Sequence, residues 1–209
     1  MTDLASIITA FTTVFIIIDP PGLVPIFIAL TQGMRGRQRY AIGLRAVLVA
    51  AVLMTVFLFL GEAVLEFVGI SMPAFRIAGG VLLFLTALDM LFERRQKRRG
   101  DAADEEVQDE GHDPSVFPLA LPLIVGPGLI TTIILLAGQA DGPAGIVALT
   151  AVLAANLGIV FLAFLASPFI ARALGRVGIN VITRVLGMLL AALAVQFILD
   201  GLSSFGLAA

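Results

Sequence analysis

An aspartate, two prolines and a glycine interrupt the first apolar run of the chain, and these residue types suit the binding of a small charged molecule. The interruption is residues 19–22, inside a run that extends from residue 4 to residue 30. Proline removes a backbone donor and glycine adds flexibility, so a helix that reaches these residues loses part of its hydrogen-bond ladder. The two ends of the interrupted helix then present carbonyl and N–H groups with opposite partial charges. Such a pair of ends suits a zwitterion.

A second interruption of the same kind, Gly126, Pro127 and Gly128, lies inside the apolar run of residues 116–137. Lipid hydrocarbon offers no water to an orphan N–H or C=O, so a break within a membrane helix must be matched by another partner. In transporters, paired interruptions at corresponding positions of two halves indicate a substrate site near the bilayer midplane. We therefore predict that a substrate binds between the two interruptions. The residues predicted to form this site are Asp19, Pro20, Gly22, Leu23, Gly126, Gly128, Leu129, Thr131 and Thr132.

Asp19 is the one acidic residue predicted to lie deep in the membrane, because the other acids of the apolar segments fall near the segment ends. Carboxylates inside a membrane are costly and usually functional. We interpret Asp19 as the partner of a substrate ammonium group or as a proton carrier that couples transport to the proton gradient. An alternative is that it caps the second half-helix, a role that aspartate fills readily and that is compatible with the first.

The backbone beside each interruption is predicted to hold the two charged groups of the substrate. N–H groups after Gly22 and Gly128 would bind its carboxylate, and carbonyls near residues 17–18 and 124–125 would face its ammonium. The hydroxyls of Thr131 and Thr132 are further candidate ligands. Threonine in a membrane helix also bonds to its own preceding turn, and this alternative stays open for both residues.

The composition is that of an integral membrane protein. Hydrophobic residues make up 59% of the 209 residues, charged residues make up 13%, and the mean hydropathy is +1.07, which is too apolar for a soluble domain. The apolar segments reach the roughly 20 residues that span a bilayer, and none alternates like a barrel strand, so the predicted fold is all-α. The absence of cysteine excludes disulfides, thiolate metal sites and thiol redox chemistry. No metal, cofactor or nucleic-acid partner is expected, and the single histidine, His112, receives no role.

Six apolar segments are each long enough to cross a membrane as a helix. They cover approximately residues 4–32, 40–60, 74–92, 116–139, 144–165 and 181–199. The first segment lacks the basic region of a cleaved signal peptide, so it is expected to remain as the first span. The stretch between the third and fourth segments is first basic and then acidic, and it is predicted to be a flexible linker.

The basic residues predict the orientation of these spans, because short cytoplasmic loops collect lysine and arginine. Of the thirteen lysines and arginines, ten follow spans one, three and five: Arg35, Arg37, Arg39, Arg94, Arg95, Lys97, Arg98, Arg99, Arg172 and Arg176. Both termini are therefore expected on the periplasmic or extracellular side, with the loop of residues 93–115 in the cytoplasm. If the two interrupted segments were re-entrant hairpins, Arg172 and Arg176 would lie opposite the other eight, so six crossings are preferred.

The chain also contains a weak internal repeat. When Arg76 is aligned with Arg184, Gly79 falls on Gly187, and the two interruptions align at nearly the same offset. Two units of three spans follow, and the odd number inverts the second unit in the membrane. The predicted organisation is residues 1–92 as the first three-helix repeat, 93–115 as a charged cytoplasmic linker and 116–209 as the second, inverted repeat. Helices 1 and 4 are predicted to be broken near the midplane.

Other polar and small residues within the spans receive secondary roles. Arg76 and Arg184 are candidate gates or counter-charges at the two mouths of the substrate path, and the alternative is that they extend to the lipid headgroups. Small residues permit close helix contact and polar amides hydrogen-bond between membrane helices. The residues predicted to serve helix packing in these ways are Gly79, Gly80, Asn156 and Gly187.

The sequence resembles the MarC family, also catalogued as UPF0056, over nearly all of its length. The resemblance lies in residues 19–27, in 76–90 (RIAGGVLLFLTALDM), in 118–132 (PLALPLIVGPGLITT) and in 184–201. It implies a bacterial inner-membrane protein, with some relatives described as transporters of glycine, alanine and similar small amino acids. It also implies kinship with the LysE-like exporters, which share repeats of three helices.

These observations predict a secondary transporter for small neutral amino acids such as glycine, alanine and serine, proton-coupled and working by alternating access. The alternatives are a LysE-like exporter of a monovalent cation or another small metabolite, and a membrane scaffold that transports nothing. A passive channel is disfavoured because spans two, three and five offer few polar residues. An enzyme is not expected, because the spans hold no histidine or cysteine and a single aspartate lacks an acid–base partner.

The expected partners follow from this prediction. The substrate is a zwitterionic amino acid, and the basic half of the cytoplasmic linker is suited to contact anionic membrane lipid. No phosphate-binding P-loop pattern is found, so ATP is not an expected energy source. Assembly as a homo-oligomer is left open.

Overall fold

The computed structural model describes residues 3–94 and 113–205, and within these ranges the chain is helical. Seven α-helices and one irregular segment make up this part of the structure. The helices are α1 Leu4–Ile18, α2 Pro20–Leu30, α3 Gly36–Val68, α4 Met72–Leu91, α5 Pro127–Ala137, α6 Gly142–Leu165 and α7 Ser167–Ser203. Most of the predicted cytoplasmic linker, including His112, lies outside the described residues.

The irregular segment, Ser115–Ile124, precedes α5 and is called the proline segment below. Its turns are wide, with Leu119 donating to the carbonyl of Pro114 and Val125 to that of Ala120. Phe117 and Leu121 adopt extended backbone angles, and the peptide bonds that follow them, to Pro118 and Pro122, are cis. The proline segment and α5 are bent relative to each other by 61°.

Five stretches of the described chain are long and apolar enough to cross a membrane, and the bent pair of proline segment and α5 makes a sixth if it is one span. The first of the five is Leu4–Leu30, which combines α1 and α2. The chain is thus an all-helical integral membrane protein that crosses the bilayer several times. A bend of 61° within the bent pair occurs in broken spans and in re-entrant loops alike.

The predicted connection between the fifth and sixth spans is a helix break and not a long loop. One residue, Ala166, separates α6 from α7, and the non-helical backbone of Gly175 (φ 61°, ψ −178°) divides α7 into two helical parts. Arg172 and Arg176 lie on either side of this break, and arginine has good helix propensity. The two arginines therefore mark the connection, but the residues around the break are helical.

The interrupted first span lies at the centre of the structure. In its most apolar window 72% of the residues are buried, against 22% in the corresponding windows of α3 and α7. Helices α5, α6 and α7 all contact α1, while α3 packs on the proline segment, α5 and α6. The first span is therefore surrounded by protein, which is the environment in which a helix interruption is tolerated at membrane depth.

Helices α4 and α7 form the most extensive helix pair, and they run antiparallel. A Cβ atom on Gly80 would lie 2.8 Å from the carbonyl oxygen of Ala194, and one on Gly187 would lie 3.2 Å from that of Ala87. Such backbone approach requires small residues. Glycines therefore set the distance between these two helices.

Candidate functional site

Asp19 joins α1 to α2 and is completely buried, with 0% of its surface exposed. Its backbone is left-handed (φ 57°, ψ 64°), a conformation that aspartate tolerates better than most residues. Its own N–H donates to the carbonyl of Phe15 at 3.0 Å. Pro20 has no N–H, so the carbonyl of Ile16 lacks the donor that a continuous helix would supply. The helical hydrogen-bond ladder is therefore interrupted at the carboxylate-bearing residue itself.

The carboxylate of Asp19 caps α2. Its Oδ1 accepts a hydrogen bond of 3.2 Å from the backbone N–H of Gly22. A Cβ atom on Gly22 would lie 2.1 Å from Oδ2 of Asp19, so only glycine leaves room for the carboxylate at this position. This is the capping geometry that the sequence left as an alternative for Asp19.

Thr183 brings α7 to the same carboxylate. Its Oγ1 lies 3.3 Å from each of the two oxygens of Asp19, and the residue is 2% exposed. The sequence prediction did not include Thr183. Its one signal is a polar residue beside Arg184 in an apolar helix, which is weak because threonine is common in such helices.

The first turn of α2 has no N–H group left for a substrate carboxylate. Pro20 and Pro21 carry none, Gly22 donates to the side chain of Asp19, and Leu23 donates to the backbone carbonyl of Asp19 at 3.2 Å. The structure thus places the carboxylate of Asp19 where the sequence placed that of a substrate. Ile17 and Ile18, whose carbonyls were candidates for an ammonium, each have an interaction partner.

The first turn of α5 differs from that of α2, because no side chain caps it. Leu129 and Ile130 both donate to the carbonyl of Gly126, at 3.0 and 3.1 Å. Within the described residues, no hydrogen bond from the N–H of Gly128 is found, although Gly128 is buried. The positive end of this helix is therefore the better of the two for an anionic group.

The two interruptions pack against each other. A Cβ atom on Gly128 would lie 3.9 Å from Cγ2 of Ile17, 3.1 Å from Cδ2 of Leu83 and 3.6 Å from Oγ1 of Thr86. Ile17 is in the last turn of α1, two residues before Asp19. The uncapped start of α5 therefore packs against the last turn of α1, with Leu83 and Thr86 of α4 on one side.

The remaining candidate ligands near the interruptions are buried and mostly satisfied. Thr131 donates to the carbonyl of Pro127 at 3.0 Å and Thr132 to that of Gly128 at 2.9 Å, so both hydroxyls bond to their own preceding turn. Leu23 and Leu129 are part of the apolar core, and Pro20 is buried beside Asp19. A Cβ atom on Gly126 would lie 3.0 Å from the carbonyl of Pro122.

The two arginines proposed as gates have different surroundings. Arg184 forms an ion pair of 2.6 Å with Glu93, just beyond the end of α4, and the two side chains are 52% and 44% exposed. Arg76 is half-buried near the start of α4, and its Nε has no hydrogen-bond partner within the described residues. Arg184 directly follows Thr183 in α7, and its ion pair with Glu93 links this helix to the end of α4.

The residues predicted to serve helix packing lie at helix contacts. A Cβ atom on Gly79 would lie 2.2 Å from Cγ2 of Thr131, so this glycine permits the approach of α5 to α4. Asn156 donates from Nδ2 to the carbonyls of Val152 (3.0 Å) and Phe11 (3.5 Å). The second of these contacts ties α6 to α1.

A separate cleft lies beyond the far end of α2. It has a volume of about 230 Å³, and Phe27, Arg39, Tyr40 and Phe164 are among the residues that line it. Phe27 stacks on Phe164 with 4.3 Å between ring centroids, and Arg39 lies over Phe27 and donates to Ser167. These contacts join α2, α3, α6 and α7.

Comparison with known proteins gives a consistent set of relatives. A family model described as "MarC family integral membrane protein" matches residues 4–205. A UPF0056 membrane protein of Archaeoglobus fulgidus is 43% identical over 200 residues, which cover 93% of this chain and 91% of the relative. A UPF0056 membrane protein of Aquifex aeolicus is 38% identical over 197 residues, which cover 94% of this chain and 92% of the relative. The UPF0056 inner membrane protein YhgN of Escherichia coli K12 is 34% identical over 196 residues, which cover 94% of this chain and 95% of the relative. No solved structure is significantly similar to the chain.

Proposed function

Because the chain belongs to the MarC family of integral membrane proteins, we propose that it is a secondary transporter of small neutral amino acids, with glycine, alanine and serine as its substrate class. The observation that carries this proposal is the buried carboxylate of Asp19, which lies at a helix interruption packed against a second interruption. Carboxylates within membrane segments are costly and usually functional. The names of these relatives state a membrane location and no substrate.

The two charged groups of the substrate are assigned to opposite sides of the site. Its ammonium binds the carboxylate of Asp19, and its carboxylate binds the uncapped start of α5 at Gly128. This differs from the symmetric arrangement expected from the sequence, because Asp19 itself occupies the start of α2. Leu83 stands beside Gly128, so only a small side chain is accommodated.

Alternating access is the mechanism that we propose for moving this substrate. Asp19 is 0% exposed, and we assign this conformation to a closed state of the cycle. Two inverted repeats, each with one helix broken near the midplane, would rock about the central site. The antiparallel packing of α4 on α7, the third spans of the two predicted repeats, supports this arrangement.

Coupling and gating are assigned to charged residues. Asp19 carries the coupling proton, which it would exchange when the site opens to either side. The pair of Arg184 with Glu93 is the candidate gate at one mouth, and Arg76 is the candidate counter-charge at the other. The basic residues that follow spans one, three and five support a plasma-membrane location with both termini outside.

A LysE-like exporter of a monovalent cation is the second candidate function. The contact of Thr183 with Asp19 favours it, because hydroxyl and carboxylate oxygens are suitable ligands for such an ion. A scaffold that transports nothing is the third alternative, and only an activity assay excludes it.

Counterflow into proteoliposomes with labelled glycine, alanine and serine tests the proposal. We expect accumulation of at least one of the three by the wild type. Asp19→Asn should lower uptake roughly 10- to 100-fold, since a hydrogen bond to a charged group contributes about 1.5–3 kcal/mol. Asp3→Asn is the matched control, because Asp3 caps α1 in the same way but is exposed. No accumulation of any of the three by the wild type would refute the amino acid assignment.

A further inference from the structure

The cleft beyond the far end of α2 lies at one surface of the membrane-spanning region. Gly36 starts α3 and Leu165 ends α6, and both residues line the cleft. Tyr40, which also lines it, is 48% exposed and is the one tyrosine of a chain that has no tryptophan. Tyrosine is enriched where hydrocarbon meets water, because its ring is apolar and its hydroxyl is polar. These positions put the cleft at the level of the lipid headgroups.

Arg39 gives this cleft a positive charge. Its guanidinium lies 5.9 Å from the ring centroid of Phe27 and donates to Oγ of Ser167 at 3.3 Å, and both of these partners are uncharged. Arg184, by contrast, pairs with the carboxylate of Glu93. Within residues 3–94 and 113–205, no carboxylate forms an ion pair with Arg39. The charge of Arg39 is therefore available to an anionic ligand.

The rest of the cleft is apolar and is too small to enclose a whole ligand. Phe27 and Phe164, each 2% exposed, stack on each other at its base. A Cβ atom on Gly43 would touch both rings, at 3.6 and 3.5 Å, so this glycine keeps the base of the cleft open. The volume of about 230 Å³ is below the roughly 300–1,000 Å³ of pockets that bind complete small molecules. Leu165 and Pro168, on the other side, are exposed, so the remainder of a ligand can extend into the bilayer.

We propose that this cleft binds the headgroup of an anionic phospholipid. Arg39 pairs with the phosphate, because the planar guanidinium matches two of its oxygens. Tyr40 supplies a hydroxyl donor at the rim, and the positive end of α3 at Gly36 adds to the attraction. The first methylene groups of an acyl chain lie on the aromatic base. The basic residues of this end of the spans indicate the cytoplasmic leaflet, which is the one rich in anionic lipid.

Tyrosine fluorescence tests this site, because Tyr40 is the chain's one tyrosine and no tryptophan obscures it. The purified protein is placed in phosphatidylcholine vesicles that contain increasing fractions of either phosphatidylglycerol or phosphatidylcholine with brominated acyl chains, which quench a fluorophore in contact with them. Salt at about 1 M reduces the Debye length to about 3 Å and so suppresses general attraction to the surface. We expect half-maximal quenching by phosphatidylglycerol at a roughly tenfold lower fraction than by phosphatidylcholine, since a hydrogen bond to a charged group contributes at least this factor.

Two arginine variants separate the cleft from the surface charge around it. Arg39→Gln removes the charge inside the cleft, so the two lipids should then quench at fractions within about threefold of each other. Arg37→Gln is the matched control, because Arg37 also lies in the first turn of α3 but is exposed and does not line the cleft. It should retain the preference of the wild type. Size-exclusion profiles and melting temperatures verify folding, and Arg39→Met, which keeps an apolar stem over Phe27, replaces Arg39→Gln if that variant does not fold.

Three results would overturn the proposal: equal quenching of the wild type by the two lipids, a preference retained without the charge of Arg39, or an equal loss of preference in Arg37→Gln. Inorganic phosphate in large excess should not relieve the quenching by phosphatidylglycerol. Relief by phosphate would assign the cleft to a soluble anion and would also contradict the lipid site. The assay contains no amino acid, so its outcome is independent of the proposed transport.

Discussion

The backbone N–H of Gly22 and the carboxylate of Asp19 occupy a space that no larger residue can share, since a Cβ atom on Gly22 would lie 2.1 Å from Oδ2 of Asp19. We expect Gly22→Ala to displace the carboxylate and to remove its bond to the start of α2. Loss of such a cap costs about 1 kcal/mol, and transport should fall below detection because Asp19 is misplaced.

Melting temperature and counterflow measure the two effects of Gly22→Ala. Gly158→Ala is the control, because a Cβ atom on Gly158 meets nothing within 4 Å. It should leave transport unchanged and stability unchanged or slightly raised. Wild-type transport by Gly22→Ala would show that the position of Asp19 is not critical.

The contact between α4 and α7 should be sensitive to a single methyl group. A Cβ atom on Gly80 would lie 2.8 Å from the backbone oxygen of Ala194, which cannot turn away as a side chain could. We expect Gly80→Ala to lower the free energy of unfolding by about 1–3 kcal/mol, the usual cost of overpacking. Thermal unfolding in detergent measures this, and Gly158→Ala is again the control. An unchanged melting temperature would mean that the two helices separate at little cost.

The ion pair between Arg184 and Glu93 should affect transport more than stability. Both side chains are about half exposed, and exposed pairs contribute only about 0–1 kcal/mol. We expect Arg184→Glu to slow uptake with little change in melting temperature, and the exchange Arg184→Glu with Glu93→Arg to restore part of the rate. If the double variant does not recover any of the uptake rate, Arg184 does not act through Glu93.

Asp113 and Arg45 should contribute stability that depends on pH. Burial acts to raise the pKa of Asp113, but hydrogen bonds from Ser115 and the contact with Arg45 outweigh it and lower this pKa below 3.8. A carboxyl group whose pKa is lower in the folded than in the unfolded state stabilises the protein at pH values above its unfolded-state pKa. This contribution is lost as the pH falls through the folded-state pKa.

The melting temperature of Asp113→Asn, compared with the wild type, tests this dependence. The variant should melt slightly lower at neutral pH, and the difference should vanish once the pH is well below 3.8, the ordinary value for this group. Asp141→Asn is the comparison, because Asp141 precedes α6 and its side chain makes no capping hydrogen bond to that helix. A difference that grows toward acid pH would contradict the assignment.

Local features of the chain were predictable from sequence, whereas long-range contacts were not. The interruption at Asp19 follows from two adjacent prolines, and its capping role follows from the preference of aspartate for that position. The contact of Thr183 with Asp19 joins residues 164 positions apart, and nothing in the local sequence specifies it. Thr183 is recognised as a partner of Asp19 only when α7 is placed against the first span.

The sequence analysis also missed the difference between the two helix starts. The expectation that both interruptions bind a substrate carboxylate treated them as equivalent. Asp19 precedes the first interruption, but the aligned position before the second is Val125, which cannot cap. This one difference leaves α5 uncapped and makes the site asymmetric. The connection predicted at Arg172 and Arg176 contains a break at Gly175, but its flanks are helical, since charge indicates membrane orientation rather than helix ends.

Gly128 provides the most direct test of where a substrate carboxylate binds. A Cβ atom at this position would cover the N–H and lie 3.1 Å from Cδ2 of Leu83. We therefore expect Gly128→Ala to raise KM for alanine and serine roughly tenfold or more, with a smaller change in kcat, because uniform binding is lost. Leu83→Ala in the same protein should recover part of the loss by making room for the methyl group, since residues in contact are not additive. Concentration-dependent uptake by the two single variants and the double variant gives the coupling energy. If Gly128→Ala leaves KM unchanged while Asp19→Asn abolishes uptake, the carboxylate binds elsewhere and the start of α5 has only a structural role.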